Sequence, residues 1–266
     1  MIDGHIHMMD KADREVLEGR IQDAGLKRGV VFSLPPRTFS SRYRDSFQHR
    51  LEALLELTGG GRGLIPFFWI DPLEKDALQQ VDEAVASGIK GFKIMCIDDY
   101  PYNPEALKAY KRIALHGKPI LFHSGILWND KNSSSFNRPA CFECMLAVEG
   151  IRFALAHISW PWVDECLAVF GKFMQTRNMG LDQKMYIDLT PGTPEIYRRE
   201  ALTKLFTIGY DVEDRVFWGT DNTANDYNVD WCRRWQGIDR QIFSELKIAK
   251  EQIDKIENHN LLRFIG

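Results

Sequence analysis

Short runs of apolar, β-branched and aromatic residues recur along the chain, and each is followed by a segment with apolar residues at helical spacing. This alternation is typical of βα units around a parallel sheet. The runs predict eight strands, which begin near Ile2, Gly29, Leu64, Gly91, Pro119, Arg152, Lys184 and Val216. These starts lie 27 to 35 residues apart, which leaves room for one strand, one crossover helix and two loops.

The helical spacing predicts five helices between these strands, over residues 11–24, 43–57, 73–87, 104–116 and 163–173. Asn103-Pro104 and Thr193-Pro194 place a capping side chain and a proline where helices begin. A helical tail is predicted from Lys250 to the C-terminus, and we expect it to pack against the outside of the fold.

Eight βα units predict an α/β fold, a distorted (β/α)8 TIM barrel with a short extra C-terminal helical segment. No Gly/Ser-rich linker or shift in composition interrupts the pattern, so we expect a single domain over residues 1–266. The alternative is an open, doubly wound sheet. That fold usually carries a glycine-rich phosphate loop after its first strand, whereas here the first strand ends in histidines.

The composition excludes several classes of partner. The 34 Lys and Arg residues nearly balance the 37 Asp and Glu residues, so there is no basic footprint for nucleic acid. No apolar run is long enough for a membrane span, and the first residues do not look like a signal peptide. Five irregularly spaced cysteines favour reduced thiols and a cytoplasmic location. The only CxxC pair, Cys141 and Cys144, is interpreted as packing rather than as a zinc or redox site.

Two histidines in the first predicted strand are the first candidates for chemistry. In Asp3-Gly4-His5-Ile6-His7 the imidazoles stand two residues apart, so both side chains point to the same face of the strand. In a barrel that face can be the interior. Two imidazoles at this spacing can bind one metal ion.

Further polar groups end other predicted strands. His123 follows an apolar run that begins at Pro119, and His157 and Asp221 end the sixth and eighth runs. An α/β barrel places its active site at these carboxyl ends. Lys93 lies inside the apolar fourth strand, where an ammonium group is costly unless it is paired, neutralised or modified.

These residues together resemble the amidohydrolase superfamily of metal-dependent barrel enzymes, and within it the amidohydrolase-related group, also called amidohydrolase 2. The resemblance covers the whole chain, from DGHIH through KPILFHSG, ALAHISW and FWGTD to the closing segment at Asn260–Phe264. It places His5, His7, His123, His157 and Asp221 at the family's metal and catalytic positions. The AHISW segment departs from the histidine–glycine pair often seen there.

The resemblance implies a divalent metal, for which we expect zinc. It leaves open whether one ion or two are bound, because Lys93 matches the position of a carbamylated lysine that bridges two metals in binuclear members. A metal held by His5, His7, His123 and Asp221 would activate water and polarise a carbonyl. The implied function is hydrolysis of an ester, lactone or amide, with Asp221 moving the proton. His157 would complete a second metal site with Lys93 and His123, or act as an unligated acid or base.

The same group contains non-oxidative decarboxylases of aromatic or dienoic acids, which is the alternative function. A barrel that keeps its metal and binds a small molecule without turnover is the second alternative. We expect a small-molecule substrate that carries a carboxylate, for which Arg37, Arg42 and Arg44 are candidate partners. Candidate walls for an apolar or ring-shaped substrate are Trp128, Trp160, Trp162, Tyr100 and Tyr102. The segment around Trp231 and Trp235 either offers a surface for a homo-oligomer or closes the edge of the barrel.

Overall fold

The computed structural model describes residues 1–59 and 63–266 of the chain. Its strands are β1 (Ile2–His7), β2 (Arg28–Phe32), β3 (Leu64–Trp69), β4 (Gly91–Ile94), β5 (Ile120–Phe122), β6 (Arg152–Leu155), β7 (Lys184–Asp188), β8 (Val216–Phe217) and β9 (Asn222–Thr223). All eight predicted strands are present within a residue or so of their expected starts. The ninth strand is a short continuation of the eighth unit.

The helices are α1 (Arg14–Asp23), α2 (Phe47–Thr58), α3 (Ala77–Ala86), α4 (Pro104–Leu115), α5 (Val163–Met174), α6 (Glu195–Thr207), α7 (Val229–Glu245), α8 (Lys250–Asp254) and α9 (Asn260–Ile265). Between β5 and β6 the chain forms two 3₁₀ segments, Ser134–Asn137 and Pro139–Ala147, instead of an α-helix. Across the described residues, none of these helices is both long and apolar enough to cross a lipid bilayer.

Three predicted helices begin three or four residues later than expected, because a polar side chain caps the start or the chain turns first. Asp13 accepts a hydrogen bond from the backbone N–H of Val16, which fixes the start of α1. Ser46 caps α2 in the same way, and α3 begins only after Asp76. Asn103 caps α4 as predicted, whereas the hydroxyl of Thr193 is buried without a hydrogen-bond partner among the described residues. The expectation that Thr193 caps α6 was therefore wrong.

The strands form one parallel sheet in the order β8-β7-β6-β5-β4-β3-β2-β1-β9. Its two outermost strands, β8 and β9, belong to one short chain segment, in which β8 pairs with β7 and β9 pairs with β1. The backbone N–H of Gly4 also donates to the carbonyl of Trp218 at 3.0 Å. The eighth unit thus joins both edges of the sheet, and the fold is a distorted (β/α)8 barrel, as predicted.

Apolar side chains form two layers. The larger cluster fills the space between the strands and the surrounding helices. The smaller one collects residues from β1, β2, β3, β5, β6, β7 and β8 around Leu261 and Phe264. Residues from so many strands meet only inside the barrel, so this second cluster is the apolar filling of its interior.

The C-terminal tail enters the barrel instead of packing only on its outside. Phe264 of α9 is fully buried, and its ring lies 5.1 Å from that of Tyr186 and 5.3 Å from that of Phe217, measured between centroids. Arg152 at the start of β6 donates from Nε to the carbonyl of Phe264 at 2.9 Å. The prediction of a helical tail is confirmed, but the expected outside packing was wrong. Leu261 and Phe264 are buried inside the barrel, because they cover apolar side chains at the amino ends of the strands.

Candidate metal centre

Three side chains that are far apart in the sequence meet at the carboxyl ends of the strands. His5 and His7 point from β1 into the barrel, and their Nε2 atoms lie 3.0 Å apart. Oδ1 of Asp221, between β8 and β9, lies 3.4 Å from Nε2 of His5 and 3.3 Å from Nε2 of His7. These three residues form a group that could hold a metal ion.

The spacing of these three atoms fits a tetrahedral divalent ion. Zinc binds imidazole nitrogen and carboxylate oxygen at roughly 2.0–2.1 Å, so the ligand atoms of a regular tetrahedron stand about 3.3–3.4 Å apart. The separations of 3.0, 3.3 and 3.4 Å are close to this edge length. Three protein ligands also leave a fourth position for water or substrate, which is the arrangement of catalytic rather than structural zinc sites.

Asp188 at the end of β7 orients the first imidazole. Its Oδ2 lies 2.6 Å from Nδ1 of His5, and both side chains are fully buried. With its proton on Nδ1 donated to Asp188, His5 presents the lone pair of Nε2 to His7 and Asp221. The other carboxylate oxygen accepts from the backbone N–H of Thr190 at 2.8 Å. Burial raises the pKa of Asp188 to about 6.

The electrostatics of the group favour metal ligation. Burial lowers the pKa of His7, and that of His5 well below its usual value, so both imidazoles are held neutral. Burial opposes the ionisation of Asp221, yet its contact with His7 and the neighbouring imidazoles hold its pKa well below the usual range. Neutral imidazoles and an ionised carboxylate are the protonation states that a metal requires.

Lys93 lies beside this group, inside the barrel. Its Nζ is 3.5 Å from Nε2 of His5 and 5.1 Å from the centre of the Phe32 ring. The side chain is completely buried, and burial lowers its pKa to about 7. Burial favours the neutral amine of Lys93, which is the nucleophilic form that carbamylation needs.

His123 and His157 line the same cavity but stand outside the tight group. The centre of the His157 ring lies 5.2 Å from that of His5 and 5.1 Å from that of His123. Nε2 of His123 is 3.2 Å from the carbonyl oxygen of Ile126, and Nδ1 of His157 is buried without a partner among the described residues. Both imidazoles are therefore near enough to contact a bound molecule.

Unusual backbone conformations place His157 and Asp221. His157 and the two residues after it have positive φ angles, as does Asp221 at 60°. Gly192 leaves room for the imidazole of His157, because a Cβ at this position would lie 2.7 Å from Cγ of that ring. Strained positions of this kind cluster at functional sites.

Asp3 ties the eighth unit to the first strand. Its carboxylate accepts from the hydroxyl of Thr220 at 2.6 Å, from that of Tyr227 at 2.8 Å and from the backbone N–H of His5 at 3.1 Å. Burial raises its pKa to about 7. This network fixes the residue before Asp221 relative to the residue that carries the first imidazole.

A cavity of about 220 Å³ opens over the metal-binding group. Its polar lining consists of His7, His123, Ser124, His157, Asp221 and Thr223. The rest of its lining is apolar apart from Gly192 and consists of Met9, Phe39, Trp69, Met95, Ile126, Leu127, Trp128 and Trp160. The rings of Phe39 and Trp69 meet at 4.9 Å, and that of Trp69 lies 5.5 Å from His7. The lining of the cavity thus combines polar side chains with an aromatic wall.

The residues proposed to contact substrate divide into two sets. Trp128 and Trp160 line the cavity. Arg37 is exposed and does not line it, and Arg42 faces a separate groove, where it contacts the hydroxyl of Tyr43. Tyr100 stacks on a neighbouring tyrosine beside a different cavity. The remaining candidates, Arg44, Tyr102 and Trp162, are also absent from the lining.

Sequence reasoning missed several residues of the site. Asp188 ends the seventh predicted strand, so the strand-end argument that singled out His123 and Asp221 could have found it. Asp3 is part of the motif Asp3-Gly4-His5-Ile6-His7, but the sequence alone assigned it no function. Phe39 and Trp69 gave no signal, because apolar residues near strand ends are common in any barrel.

Comparisons with known proteins show which family and which fold this chain resembles. The sequence model of the family described as Amidohydrolase matches residues 2–264. No curated protein matches the chain in sequence. Among solved structures, a probable 2-pyrone-4,6-dicarboxylic acid hydrolase from Acinetobacter baumannii, with citric acid bound, is 13% identical; the match covers 100% of this chain and 98% of that chain with a TM-score of 0.65.

Two further structures share the fold. A 2,6-dihydroxybenzoate decarboxylase from Rhizobium is 12% identical, with 99% of this chain and 98% of that chain covered and a TM-score of 0.66. A dihydroorotase from Campylobacter jejuni is 15% identical, with 98% and 82% covered and a TM-score of 0.57. Identities this low establish the fold alone.

Proposed function

Because the chain belongs to the amidohydrolase family, we propose that it is a metal-dependent hydrolase acting on the carbonyl of a small ester, lactone or amide. The observation that carries this proposal is the convergence of His5, His7 and Asp221 at the edge lengths of a tetrahedral site. A divalent ion bound there, for which we propose zinc, would lower the pKa of a water molecule and polarise the substrate carbonyl.

The side chains around this position have separate tasks. Asp188 holds His5 in the tautomer that leaves Nε2 free. Asp221 keeps 36% of its side chain exposed, so its carboxylate can accept a proton from the attacking water and return it to the leaving group. His157 lies on the wall of the cavity, where its imidazole can donate to the developing oxyanion or join Lys93 and His123 around a second ion.

Decarboxylation of an aromatic acid is the second candidate, and the aromatic wall of the cavity favours it. In that reaction the bond between the ring and the carboxylate breaks, carbon dioxide leaves, and a proton from solvent water, relayed by Asp221 or His157, takes its place on the ring carbon. The same side chains serve both reactions, so the products distinguish them.

The first experiment measures metal content by plasma emission on protein purified without added metal or chelator, with an intact mass to detect a carbamate on Lys93. We expect at least one equivalent of a divalent ion. Two equivalents would support the site bridged by Lys93. The matched variants are His7→Gln, which should lose the metal, and His49→Gln, whose exposed imidazole lies on α2 and should leave the content unchanged.

Turnover is then measured on a panel of aromatic and aliphatic esters, lactones and amides, and on aromatic acids with detection of carbon dioxide. Release of an acid from the first set supports the hydrolase, and carbon dioxide from the second supports the decarboxylase. A metal-loaded protein that turns over neither set would contradict both and leave a barrel that binds a small molecule without reaction.

A further inference from the structure

Arg198 and Asp239 form a buried ion pair, the buried pair, between α6, which follows β7, and α7, which follows β9. The guanidinium donates from Nε and Nη2 to the two carboxylate oxygens at 2.8 and 2.7 Å. Arg198 is fully buried, and Asp239 is 1% exposed. Two parallel hydrogen bonds between a guanidinium and a carboxylate fix the orientation of both groups. The buried pair therefore links the two helices in one defined arrangement.

Each member of the buried pair also makes a hydrogen bond to the carboxyl end of a strand. The guanidinium donates through Nη2 to the carbonyl of Leu189 at 2.6 Å, and this residue directly follows Asp188. The carboxylate accepts at 3.1 Å from the indole Nε1 of Trp218, which lies three residues before Asp221. The buried pair thus contacts the two segments that carry the carboxylates of the candidate metal centre.

Backbone hydrogen bonds tie these two segments to each other and to β1. The N–H of Leu189 donates to the carbonyl of Phe217 at 2.9 Å, and the N–H of Gly4 donates to the carbonyl of Trp218 at 3.0 Å. The next residue after Gly4 is His5, whose imidazole faces both carboxylates. Movement of either segment would therefore change the distances between the carboxylates and this imidazole.

Stability alone does not explain an ion pair at this depth. Removing two charges from water is costly, and replacing a buried ion pair by apolar residues of similar volume is often neutral or stabilising. In addition, Nη1 of Arg198 has no hydrogen-bond partner among the described residues, which adds to the cost of burial. Apolar side chains could join the two helices, but they could not bind the carbonyl of Leu189 or the indole N–H of Trp218.

We propose that the two residues of the buried pair position the candidate metal centre. Their contact with the end of β7 maintains the hydrogen bond between Asp188 and His5. Their contact with the segment after β8 maintains the distance between Asp221 and His7. Neither residue lines the cavity, so both act through other side chains. This proposal rests on the proposed function, which assigns a metal ion to the three ligand atoms.

The test replaces the buried pair by apolar side chains in the double variant Arg198→Met/Asp239→Leu. The matched control, Arg199→Met/Glu245→Leu, removes an exposed ion pair between the same two helices. Zinc affinity is measured by competition with a chelator, and a circular dichroism melt checks folding. We expect the double variant to bind zinc about 10- to 100-fold more weakly, as for loss of a group that orients a metal ligand, and the control to bind like the parent. Parent-like affinity in the folded double variant would overturn the proposal.

A second readout follows His5 without any metal. Proton NMR of the metal-free protein in water detects the buried N–H that Nδ1 donates to Asp188, as a downfield resonance assigned by its loss in His5→Gln. We expect this resonance in the parent and the control, and its loss or an upfield shift in the double variant. An unchanged resonance would contradict the proposed positioning. If the parent bound no zinc, the proposed function would fail, while this resonance would still test the buried pair.

The single variant Trp218→Phe tests the contact after β8 separately, and it also makes the test if the double variant does not fold. It keeps an aromatic ring but removes the indole N–H that donates to Asp239. We expect weaker zinc binding, because the segment that carries Asp221 is released, with the downfield resonance of His5 retained. Parent-like zinc affinity in this variant would contradict the role assigned to this contact.

Discussion

The two ends of the barrel interior differ completely in chemistry, although the same strands build both. At the amino ends of the strands the interior is filled by apolar residues such as Phe67 and Phe217. The ring of Phe264, from the C-terminal tail, packs against both and covers this end of the barrel. At the carboxyl ends the same interior holds the imidazoles of His5 and His7 with Asp188 beside them. The change takes place within a single strand, since β1 runs from Ile2 to His7.

The residues that stabilise the fold and the residues that could bind a metal therefore lie at different ends of the barrel axis. Burial of apolar side chains at the amino end stabilises the folded state in proportion to the apolar area removed from water. The polar end buries ionisable groups, which is costly unless they are paired or bind a metal. Substitutions at the two ends should therefore change different measured quantities.

The largest effect is expected from Asp221→Asn at the polar end. The amide keeps the shape of the carboxylate but cannot accept the proton from water, so turnover should fall about 10²- to 10⁴-fold, to near abolition. Kinetics with the best substrate of the panel and a circular dichroism melt check this outcome. Asp226→Asn changes an exposed aspartate nearby and should leave both unchanged. Turnover near the parent rate in Asp221→Asn would refute the proposed role.

At the amino end, Phe264→Ala should lower the free energy of unfolding by about 3–5 kcal/mol, because it leaves a cavity where three aromatic rings meet. Metal affinity at the far end should stay at the parent value. Denaturant unfolding and a metal titration measure the two quantities. Leu262→Ala removes a neighbouring tail side chain that is 37% exposed and should cost much less. A large loss of metal affinity in Phe264→Ala would show that the two ends are coupled.

Asp188→Asn should weaken metal binding about 10- to 100-fold, because the amide no longer fixes the tautomer of His5. Competition with a chelator of known affinity measures this change. Asp211→Asn, at an exposed position, is the control and should bind metal as the parent does. Unchanged affinity in Asp188→Asn would mean that the 2.6 Å contact with His5 only supports the fold.

Lys93→Met should have the smallest effect on stability. The amine of Lys93 is completely buried, and burying a polar group is costly unless it is paired, so an apolar side chain of similar length should be neutral or stabilising at this position. We expect the metal-free variant to unfold at the same or a higher denaturant concentration than the parent. A clear loss of stability would show that Lys93 is bound by partners which the barrel needs.

Much of the fold could be predicted because it depends on local periodicity. Apolar runs about 30 residues apart gave the strands, and helix starts differed only where a cap such as Asp13 fixed them. The C-terminal tail was predicted as helical, but its position was not, because burial of Phe264 depends on an apolar opening formed by strands far away in the chain.

The candidate site divides in the same way. Alternation along one strand determined that His5 and His7 share a face, and strand ends placed His123, His157 and Asp221 at one end of the barrel. The contact between His5 and Asp188 joins residues 183 positions apart, and no local pattern encodes it. The lining of the cavity likewise depends on how separate loops fold, which is why Trp128 and Trp160 face it and Arg42 does not.

The sequence by itself determined the type of fold and the end of the barrel at which the chemistry lies, because periodicity sets the face and the end of a strand on which each side chain stands. Only the tertiary structure decided the spacing of the three ligand atoms, the burial of Phe264 inside the barrel and the set of side chains that line the cavity. The spacing of the ligand atoms depends on closure of the barrel through β8 and β9, which brings Asp221 to the first strand, and this pairing joins segments more than 200 residues apart.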